Sequence, residues 1–256
     1  MNEAPILLEA DTLVRRFGGL AAVGGVSLRL RRGCLHAVIG PNGAGKSTLV
    51  NLLSGELPPS SGRIRIGGID ATGWANWRFA RAGVGRSFQR TNVLRAMTVE
   101  ENVRLAAQIG CTPIRRLWRS AATEAAPLAL AKAAIGRAGL GELAGRPASI
   151  LSHGQLRQLE IAMVLATGPS VLLLDEPLAG MGPEEADRIV GLLRALAEDH
   201  ALLLIEHDMD VVFAVADWLT VMVDGKVLDE GPPAYIRASA RVRDAYLGHA
   251  AERAHA

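Results

Sequence analysis

Residues 40–48 constrain the fold of this chain more than any other segment. They run Gly-Pro-Asn-Gly-Ala-Gly-Lys-Ser-Thr, after the apolar run 35–39 and before the helix-like segment 49–53. The glycines of this run can take a positive φ and let backbone N–H groups approach an anion closely, while the following helix directs its positive end to the same point. The pattern of strand, loop and helix predicts a phosphate-binding loop.

The side chains of this loop predict how a nucleotide would be held. Lys46 is expected to reach the β- and γ-phosphates, Ser47 to ligate Mg²⁺ through its hydroxyl, and Thr48 to contact the phosphates. The alternative is a glycine-rich turn with a solvated lysine, but a chance match in a chain of this length is expected on the order of 1% of the time. The predicted nucleotide contacts from this loop are Gly40, Pro41, Asn42, Gly43, Ala44, Gly45, Lys46, Ser47 and Thr48.

Composition and charge narrow the class of protein. The chain has 256 residues, 49% of them hydrophobic, which suits one α/β domain with an inserted lobe. Its formal charge of +2 gives no indication of a nucleic-acid partner. The two cysteines, Cys34 and Cys111, lack metal-ligand spacing and fit a reducing cytoplasm. No secretory signal is recognised at the start, and no apolar run approaches the ~20 residues that span a bilayer, so another chain would have to supply a membrane part.

Apolar periodicity predicts two groups of strands with a helical lobe between them. The composition of residues 98–146 favours mostly helix, and further helices are predicted after Leu151 and after Gly182. Alternating segments that indicate an antiparallel sheet are 6–10, 12–17, 26–30 and 63–66. Strands of a second group are predicted at 171–174, 202–205, 218–223 and, after a turn at 224–225, 226–228.

Three buried strands end in groups that can carry chemistry: the phosphate loop, Asp175-Glu176, and Glu206-His207. Ligands of open α/β sheets lie at the carboxyl ends of the strands, so these groups are expected to converge on one site. Asp175 is predicted to be the acidic partner of Mg²⁺, and Glu176 to be the general base or water-positioning group for attack on the γ-phosphate. The alternative for this acidic pair is a solvated turn after a strand.

Two aromatic residues have weaker signals when each is taken alone. A single histidine after a strand, as His207 is, is more often a structural residue than a catalytic one. Phe17, just before a Gly-Gly turn, is either a platform for stacking adenine or an ordinary core aromatic. Local pattern leaves both alternatives open.

Taken in order along the chain, five motifs resemble those of the ATP-binding cassette family. They are the Walker A segment 40–48, Gln89 as the Q-loop glutamine, the signature 151–155, the Walker B segment 171–176, and His207 as the switch histidine. The resemblance covers essentially the whole chain. It implies an α/β P-loop fold with a RecA-like core, an antiparallel β subdomain and an inserted helical subdomain at about 90–165, all within a single nucleotide-binding domain, 1–256.

The resemblance also implies roles for the site residues. ATP and Mg²⁺ are the expected cofactors, and Glu176, His207, Gln89 and Lys46 are the expected catalytic residues. His207 would contact the γ-phosphate. Ser47, Asp175 and Gln89 would bind or sense the metal. Gln89 would also link the helical lobe to the catalytic core. Phe17 matches the aromatic residue that stacks on adenine.

By the same resemblance, the signature acts across a subunit interface. Ser152, Gly154 and Gln155 would bind the nucleotide held by the Walker A loop of a second ATPase subunit, in a head-to-tail dimer joined by ATP. His153 replaces the first glycine of the usual Leu-Ser-Gly-Gly-Gln, and its side chain is expected to point away from the phosphate rather than to contact it. The run 179–182 lacks the usual aspartate that couples the two sites.

Local strings are similar to the ATPase subunits of bacterial branched-chain amino acid uptake systems, particularly the member with a Phe-Gly-Gly start, which pairs with a non-identical ATPase. The similarity implies three partners: membrane-spanning permease subunits, the second ATPase and, indirectly, a periplasmic binding protein. The implied location is peripheral, on the cytoplasmic face of the bacterial inner membrane. Alternatives are a related urea or short-amide importer, an export ATPase, and a cassette protein of DNA repair or translation. The strings are 16–20, 178–181, 206–209 and 245–248.

Overall fold

The computed structural model describes residues 4–87, 92–111 and 125–245. The strands are β1 (Ile6–Phe17), β2 (Leu20–Arg31), β3 (Cys34–Ile39), β4 (Ser61–Ile66), β5 (Ile69–Asp70), β6 (Val84–Arg86), β7 (Val171–Asp175), β8 (Ala201–Ile205), β9 (Trp218–Val223) and β10 (Lys226–Gly231). The helices are α1 (Lys46–Leu53), α2 (Asn76–Arg81), α3 (Val99–Cys111), α4 (Ala125–Arg137), α5 (His153–Ala166), α6 (Pro183–Ala197), α7 (Met209–Val215) and α8 (Pro233–Ala238), with short 3-10 turns at Gly141–Leu143 and Ala148–Ile150.

Two sheets organise the chain. An antiparallel sheet has the strand order β2-β1-β4-β5, and a larger sheet has the order β10-β9-β3-β8-β7-β6. In the larger sheet all neighbours from β9 to β6 run parallel, while β10 pairs antiparallel with β9. The predicted α/β class, the predicted central strands and the predicted hairpin after β9 are therefore confirmed.

The central strands β7 and β8 are buried at every position because the larger sheet is covered on both faces. On one face, Leu172 and Leu204 pack into a hydrophobic core shared with helices α3 to α7. On the other face, Leu173 and Leu203 pack into a second core with α1 and the antiparallel sheet. Unbroken aliphatic runs in these strands follow from this double burial, and they hold the carboxyl ends of β3, β8 and β7 side by side.

Two predicted strand boundaries in the antiparallel sheet are wrong. The segments 6–10 and 12–17 form one strand, β1, whose register shifts between Ala10 and Leu13 around Thr12, which has a φ of 51°. The strand predicted at 26–30 begins earlier, at Leu20. The early part of β2 pairs with the end of β1, where Val14 lies opposite Gly24 and Phe17 lies opposite Leu20. The Gly24 N–H also donates to the Gly225 carbonyl oxygen at 2.7 Å, which further supports extended backbone where local propensity does not.

Helices α3, α4 and α5 pack on one another where a helical lobe is predicted. α3 begins with a reciprocal cap, in which the Thr98 N–H donates to Glu101 Oε2 at 2.8 Å and the Glu101 N–H donates to Thr98 Oγ1 at 3.2 Å. α5 contributes an apolar face to this packing, on which Leu159 and Ala166 are buried. The limits of this region as a separate subdomain stay a prediction.

Gly45→Ala is expected to destabilise the fold by about 2–4 kcal/mol. Gly45 has a φ of 93°, and a Cβ there would lie 2.2 Å from the Ala22 carbonyl oxygen. Gly43→Ala is the matched control, because Gly43 also has a positive φ, 83°, but nothing lies within 4 Å of its added Cβ. The control is expected to lose only about 1 kcal/mol. Urea unfolding of both variants measures the difference, and equal losses would contradict the steric explanation.

Folding stability is expected to fall below neutral pH because of His36 in β3. This side chain is 4% exposed, its Nε2 lies 2.8 Å from Thr220 Oγ1, and burial lowers its pKa from 6.5 to about 4. The unfolded chain therefore binds a proton near pH 6.5, whereas the folded chain resists protonation until about pH 4, so stability present above pH 6.5 is lost as the pH falls. From pH 7 to pH 5 the loss attributable to this residue is about 2 kcal/mol. His36→Gln should flatten the measured pH dependence by that amount, and an unchanged slope would exclude His36 as its source.

Candidate functional site

The loop after β3 is fixed by close backbone packing. Gly40 has a φ of 154°, and a Cβ there would lie 2.1 Å from the Met222 carbonyl oxygen in β9. At the next bend, the Ala44 N–H donates to the Pro41 carbonyl oxygen at 3.2 Å, and the Gly225 N–H donates to the Ala44 carbonyl oxygen at 3.1 Å. Only a glycine fits at the first of these positions, and the contacts with β9 and the following turn set the course of the loop.

Lys46 folds back over this loop at the start of α1. The residue is 9% exposed, and its Nζ donates to the carbonyl oxygens of Gly40 at 2.6 Å and Pro41 at 3.0 Å. Burial lowers its pKa, and the carboxylates of Glu176 and Asp175 act in the opposite direction. The ammonium group thus lies over the loop and interacts electrostatically with two carboxylates, so a phosphate group at the loop would find a positive charge.

The other side chains of the loop divide into buried and accessible groups. Ala44 is buried against the second core, whereas Asn42, Gly43 and Ser47 are exposed and Thr48 is half-buried. Ser47 lies in the first turn of α1, so its hydroxyl is open to a ligand at the end of the helix. Backbone N–H groups at the start of such a helix carry a partial positive charge.

Glu176 and His207 come together at the carboxyl ends of β7 and β8. His207 Nδ1 lies 4.0 Å from Glu176 Oε1 and 3.8 Å from Glu206 Oε2. Glu206 itself is buried, its Oε1 accepts a hydrogen bond from the Leu178 N–H at 2.8 Å, and burial raises its pKa. Glu206 therefore joins the loop after β7 to the loop after β8, beneath the exposed imidazole.

Asp175 ends β7 as a buried carboxylate. It is 1% exposed, and within the described parts of the chain neither of its carboxylate oxygens has a hydrogen-bond partner. Burial raises its pKa, and Arg86 Nη2, 4.0 Å from Oδ2, acts in the opposite direction. Buried polar atoms are normally satisfied, so two unsatisfied oxygens at a strand end mark a place for a cation or a donor.

Sequence reasoning missed Arg86, which holds one side of the site. Its Nη1 donates to Asn51 Oδ1 at 2.7 Å and to Ser54 Oγ at 2.9 Å, both at the end of α1 or just beyond it. The guanidinium thus connects β6, α1 and the end of β7. A lone arginine after a short strand gives no sequence signal for such a contact.

The signature forms the N-terminus of α5. Ser152 is the N-cap, and it exchanges hydrogen bonds with Gln155: the Ser152 N–H donates to Gln155 Oε1 at 3.0 Å, and the Gln155 N–H donates to Ser152 Oγ at 3.3 Å. The Ser152 hydroxyl also donates to Glu185 Oε1 at 2.8 Å, and the Gly154 N–H lies 3.4 Å from the same oxygen. A carboxylate from α6 therefore lies at this helix end, which sequence reasoning did not find.

His153 contacts the loop after β7 rather than the helix end. Its Nε2 donates to the Ala179 carbonyl oxygen at 3.0 Å. The imidazole thus joins the signature to 179–182, the segment that lacks the usual aspartate.

Two further nucleotide contacts are predicted outside the phosphate loop and the signature, Phe17 and Gln89. Phe17, at the end of β1, is 47% exposed, with the Arg15 guanidinium carbon 4.8 Å from its ring centroid. The core-aromatic alternative for Phe17 is therefore wrong. Gln89 lies outside the described residues. In the described ranges 4–87, 92–111 and 125–245, no helix is both long and apolar enough to cross a membrane.

This arrangement defines the class of the protein. A glycine-rich loop joins a parallel strand to a helix, its lysine is buried over the loop, and acidic residues end the strand two positions along the sheet. These are the parts of a P-loop nucleotide-binding protein.

Comparisons with known proteins give the family. A family model described as "ABC transporter" matches residues 23–179. The chain is 39% identical to the high-affinity branched-chain amino acid transport ATP-binding protein BraF of Pseudomonas aeruginosa, and 40% identical to LivG, of the same description, from Escherichia coli K12; each match covers 95% of this chain and 98% of the relative. The ADP conformation of MJ1267, an ATP-binding cassette of an ABC transporter, superposes with a TM-score of 0.84 at 32% identity, over 95% of this chain and 99% of that one.

The chain belongs to the ABC transporter family, as an ATP-binding subunit. The predicted P-loop ABC ATPase fold is confirmed by the solved cassettes that it superposes on. The protein binds and hydrolyses ATP, and an ATP-binding subunit of this family has membrane permease partners.

Proposed function

We propose that the protein hydrolyses ATP to power import of branched-chain or other hydrophobic amino acids by a membrane transporter. The observation that carries this proposal is the identity of 39–41% with branched-chain amino acid transport ATP-binding proteins over nearly the full length of both chains. The strings 16–20, 178–181 and 206–209 point to the same branch. The chain acts as a single nucleotide-binding domain, with a helical subdomain at about 90–165.

Within the site, Lys46 and the loop N–H groups bind the β- and γ-phosphates, and Phe17 stacks on adenine. Glu176 accepts a proton from the attacking water, while His207 contacts the γ-phosphate. This assignment is supported by the 4.0 Å approach of His207 Nδ1 to Glu176 Oε1 and by the burial of Lys46 over the loop. Gln89 senses the water and the metal.

Mg²⁺ fits the residues present. The two unsatisfied oxygens of Asp175 and the accessible hydroxyl of Ser47 are the hard oxygen ligands that this cation prefers, with Gln89 as a third protein group. When bound, the cation would neutralise charge on the phosphates. Asp175 would hold or orient it from the end of β7, where Arg86 opposes the rise that burial causes in the pKa of that carboxyl group.

Assembly completes the site. Ser152, Gly154 and Gln155 bind the nucleotide of a second, non-identical ATPase subunit in a head-to-tail dimer, which their position at a helix N-terminus supports. Permease subunits dock beside Gln89 and the helical lobe, and apolar side chains are exposed in the described part of that lobe. A periplasmic binding protein delivers the solute, and the chain works on the cytoplasmic face of the bacterial inner membrane. Among the described residues of the lobe, the large exposed apolar side chains are Leu94, Met97, Leu105, Leu130 and Ile150.

The test is uptake of labelled leucine, urea and a short amide in cells that lack this chain. Loss of leucine uptake alone, restored by the wild-type chain but not by Glu176→Gln, is the expected result. Loss of urea or amide uptake would assign the protein to the neighbouring branch of importers. Unchanged uptake of all three solutes would contradict amino acid import, and would reopen export or a role outside transport.

A further inference from the structure

Arg157 lies in the second turn of α5, the helix that begins at Ser152. Its side chain is 12% exposed, and its Nη1 forms an ion pair with Glu160 Oε2 at 2.6 Å, one turn farther along the helix. This ion pair fixes the guanidinium plane on the side of α5 that faces the end of β7. The remaining nitrogen atoms of the group are thus presented to the backbone of another element.

The guanidinium binds three consecutive backbone carbonyl groups. Nη2 donates to the carbonyl oxygens of Asp175 at 3.1 Å and Glu176 at 2.8 Å, and Nε donates to the Pro177 carbonyl oxygen at 3.3 Å. An arginine has five N–H donors in a rigid planar fork, so one side chain can satisfy all three acceptors together with Glu160. A lysine ammonium has three donors at one point and cannot span them.

The backbone held in this way is unusual at Glu176, whose φ is 48°. Side chains other than glycine rarely adopt this left-handed conformation, and it persists only where the surroundings hold it in place. Here the Glu176 N–H donates to the Ile205 carbonyl oxygen of β8 at 2.9 Å, and the Glu176 carbonyl oxygen accepts from Arg157. The residue is therefore fixed from both sides, and its carboxylate is directed towards His207.

We propose that Arg157 is a positioning residue for ATP hydrolysis, which holds the Glu176 carboxylate in its productive place and links it rigidly to the signature helix. The inference rests on the proposed role of Glu176 as the base. Because Arg157 and Ser152 belong to the same helix, a displacement of the N-terminus of α5 is transmitted to the three carbonyl groups. A second contact joins the same helix to the segment that follows 175–177: the His153 side chain donates a hydrogen bond to the Ala179 carbonyl oxygen. Ala179 belongs to 179–182, the segment that lacks the usual coupling aspartate.

The experiment compares Arg157→Met and Arg157→Lys in the full-length chain with Arg194→Lys as matched control. Arg194 also donates to a backbone carbonyl oxygen, that of Ala214, but between α6 and α7 and away from Glu176. We measure kcat and KM for ATP hydrolysis, equilibrium binding of a fluorescent ATP analogue, and thermal unfolding. Arg157→Met is expected to lower kcat by about 30-fold with KM and analogue binding within about twofold of wild type, and Arg157→Lys to lie between the two because it keeps the charge beside Glu160.

The outcomes separate this inference from the function on which it rests. A kcat near wild type in Arg157→Met overturns the inference, and so does a parallel loss of analogue binding and kcat in Arg157→Lys, which marks a purely structural role. Should Arg157→Met fail to fold, the split between kcat and KM in Arg157→Lys decides the matter. By contrast, full activity of Glu176→Gln removes the proposed base itself, whatever the Arg157 variants do.

Discussion

Replacing Lys46 with alanine is expected to weaken ATP binding by about 100-fold, because hydrogen bonds to a charged partner are worth about 1.5–3 kcal/mol and the phosphates would lose their nearest counter-charge. In the folded chain the ammonium group already lies over the phosphate loop, bonded to the carbonyl oxygens of Gly40 and Pro41. Little reorganisation is needed for it to meet a phosphate, so nearly all of its interaction energy contributes to affinity.

Equilibrium titration with a fluorescent ATP analogue measures this effect. Lys132→Ala is the matched control, since Lys132 is an exposed lysine of α4. Thermal unfolding without nucleotide should show that the Lys46→Ala chain is folded. Wild-type affinity in a folded Lys46→Ala chain would remove residues 40–48 from the nucleotide site.

Glu176→Gln is expected to keep ATP affinity and to lower kcat by about 100- to 10,000-fold, the range supplied by a positioned general base. The amide has the shape of the carboxylate but cannot accept the proton of the attacking water. Its neighbours would stay in place, because the contacts that fix this residue are made by its backbone, to Ile205 and Arg157. With binding intact and turnover blocked, the variant should accumulate as an ATP-bound dimer.

Single-turnover hydrolysis and size-exclusion chromatography with ATP test both parts of this prediction. Glu184→Gln, an exposed residue in the first turn of α6, controls for the loss of one negative charge. Turnover near the wild-type rate in Glu176→Gln would exclude Glu176 as the base. Low turnover without an ATP-dependent dimer would instead contradict the head-to-tail assembly.

The features predicted correctly are those encoded in local pattern. The aliphatic runs of β7 and β8 indicate strands buried on both faces, and the glycines of 40–48 indicate a loop whose backbone can approach an anion. Because parallel strands end at one edge, the chain positions of Glu176 and His207 were enough to expect them together. Their separation of 4.0 Å needed the structure.

The features that sequence reasoning missed depend on contacts between distant segments. Arg157 looks like any arginine on a helix until the carbonyl groups 18 to 20 residues away are in place beside it. Glu185 looks like an ordinary acidic residue in the first turn of α6, and only the packing of α5 on α6 brings it to Ser152. The early start of β2, which pairs with the end of β1, also has support from a distant segment through the backbone hydrogen bond from Gly24 to Gly225. Periodicity reports the face on which a residue lies, but not what it meets there.

The carboxylate of Glu185 acts on the helix end of α5 as a tethered competitor. Any anion that reaches Ser152 and Gly154 must first displace it, and an intramolecular group of this kind is present at an effective concentration on the order of millimolar or above. Dilute free anions are therefore expected to bind poorly at this helix end. An anion can displace the Glu185 carboxylate only when its own local concentration is comparable, as when it is carried by a surface that docks against the chain.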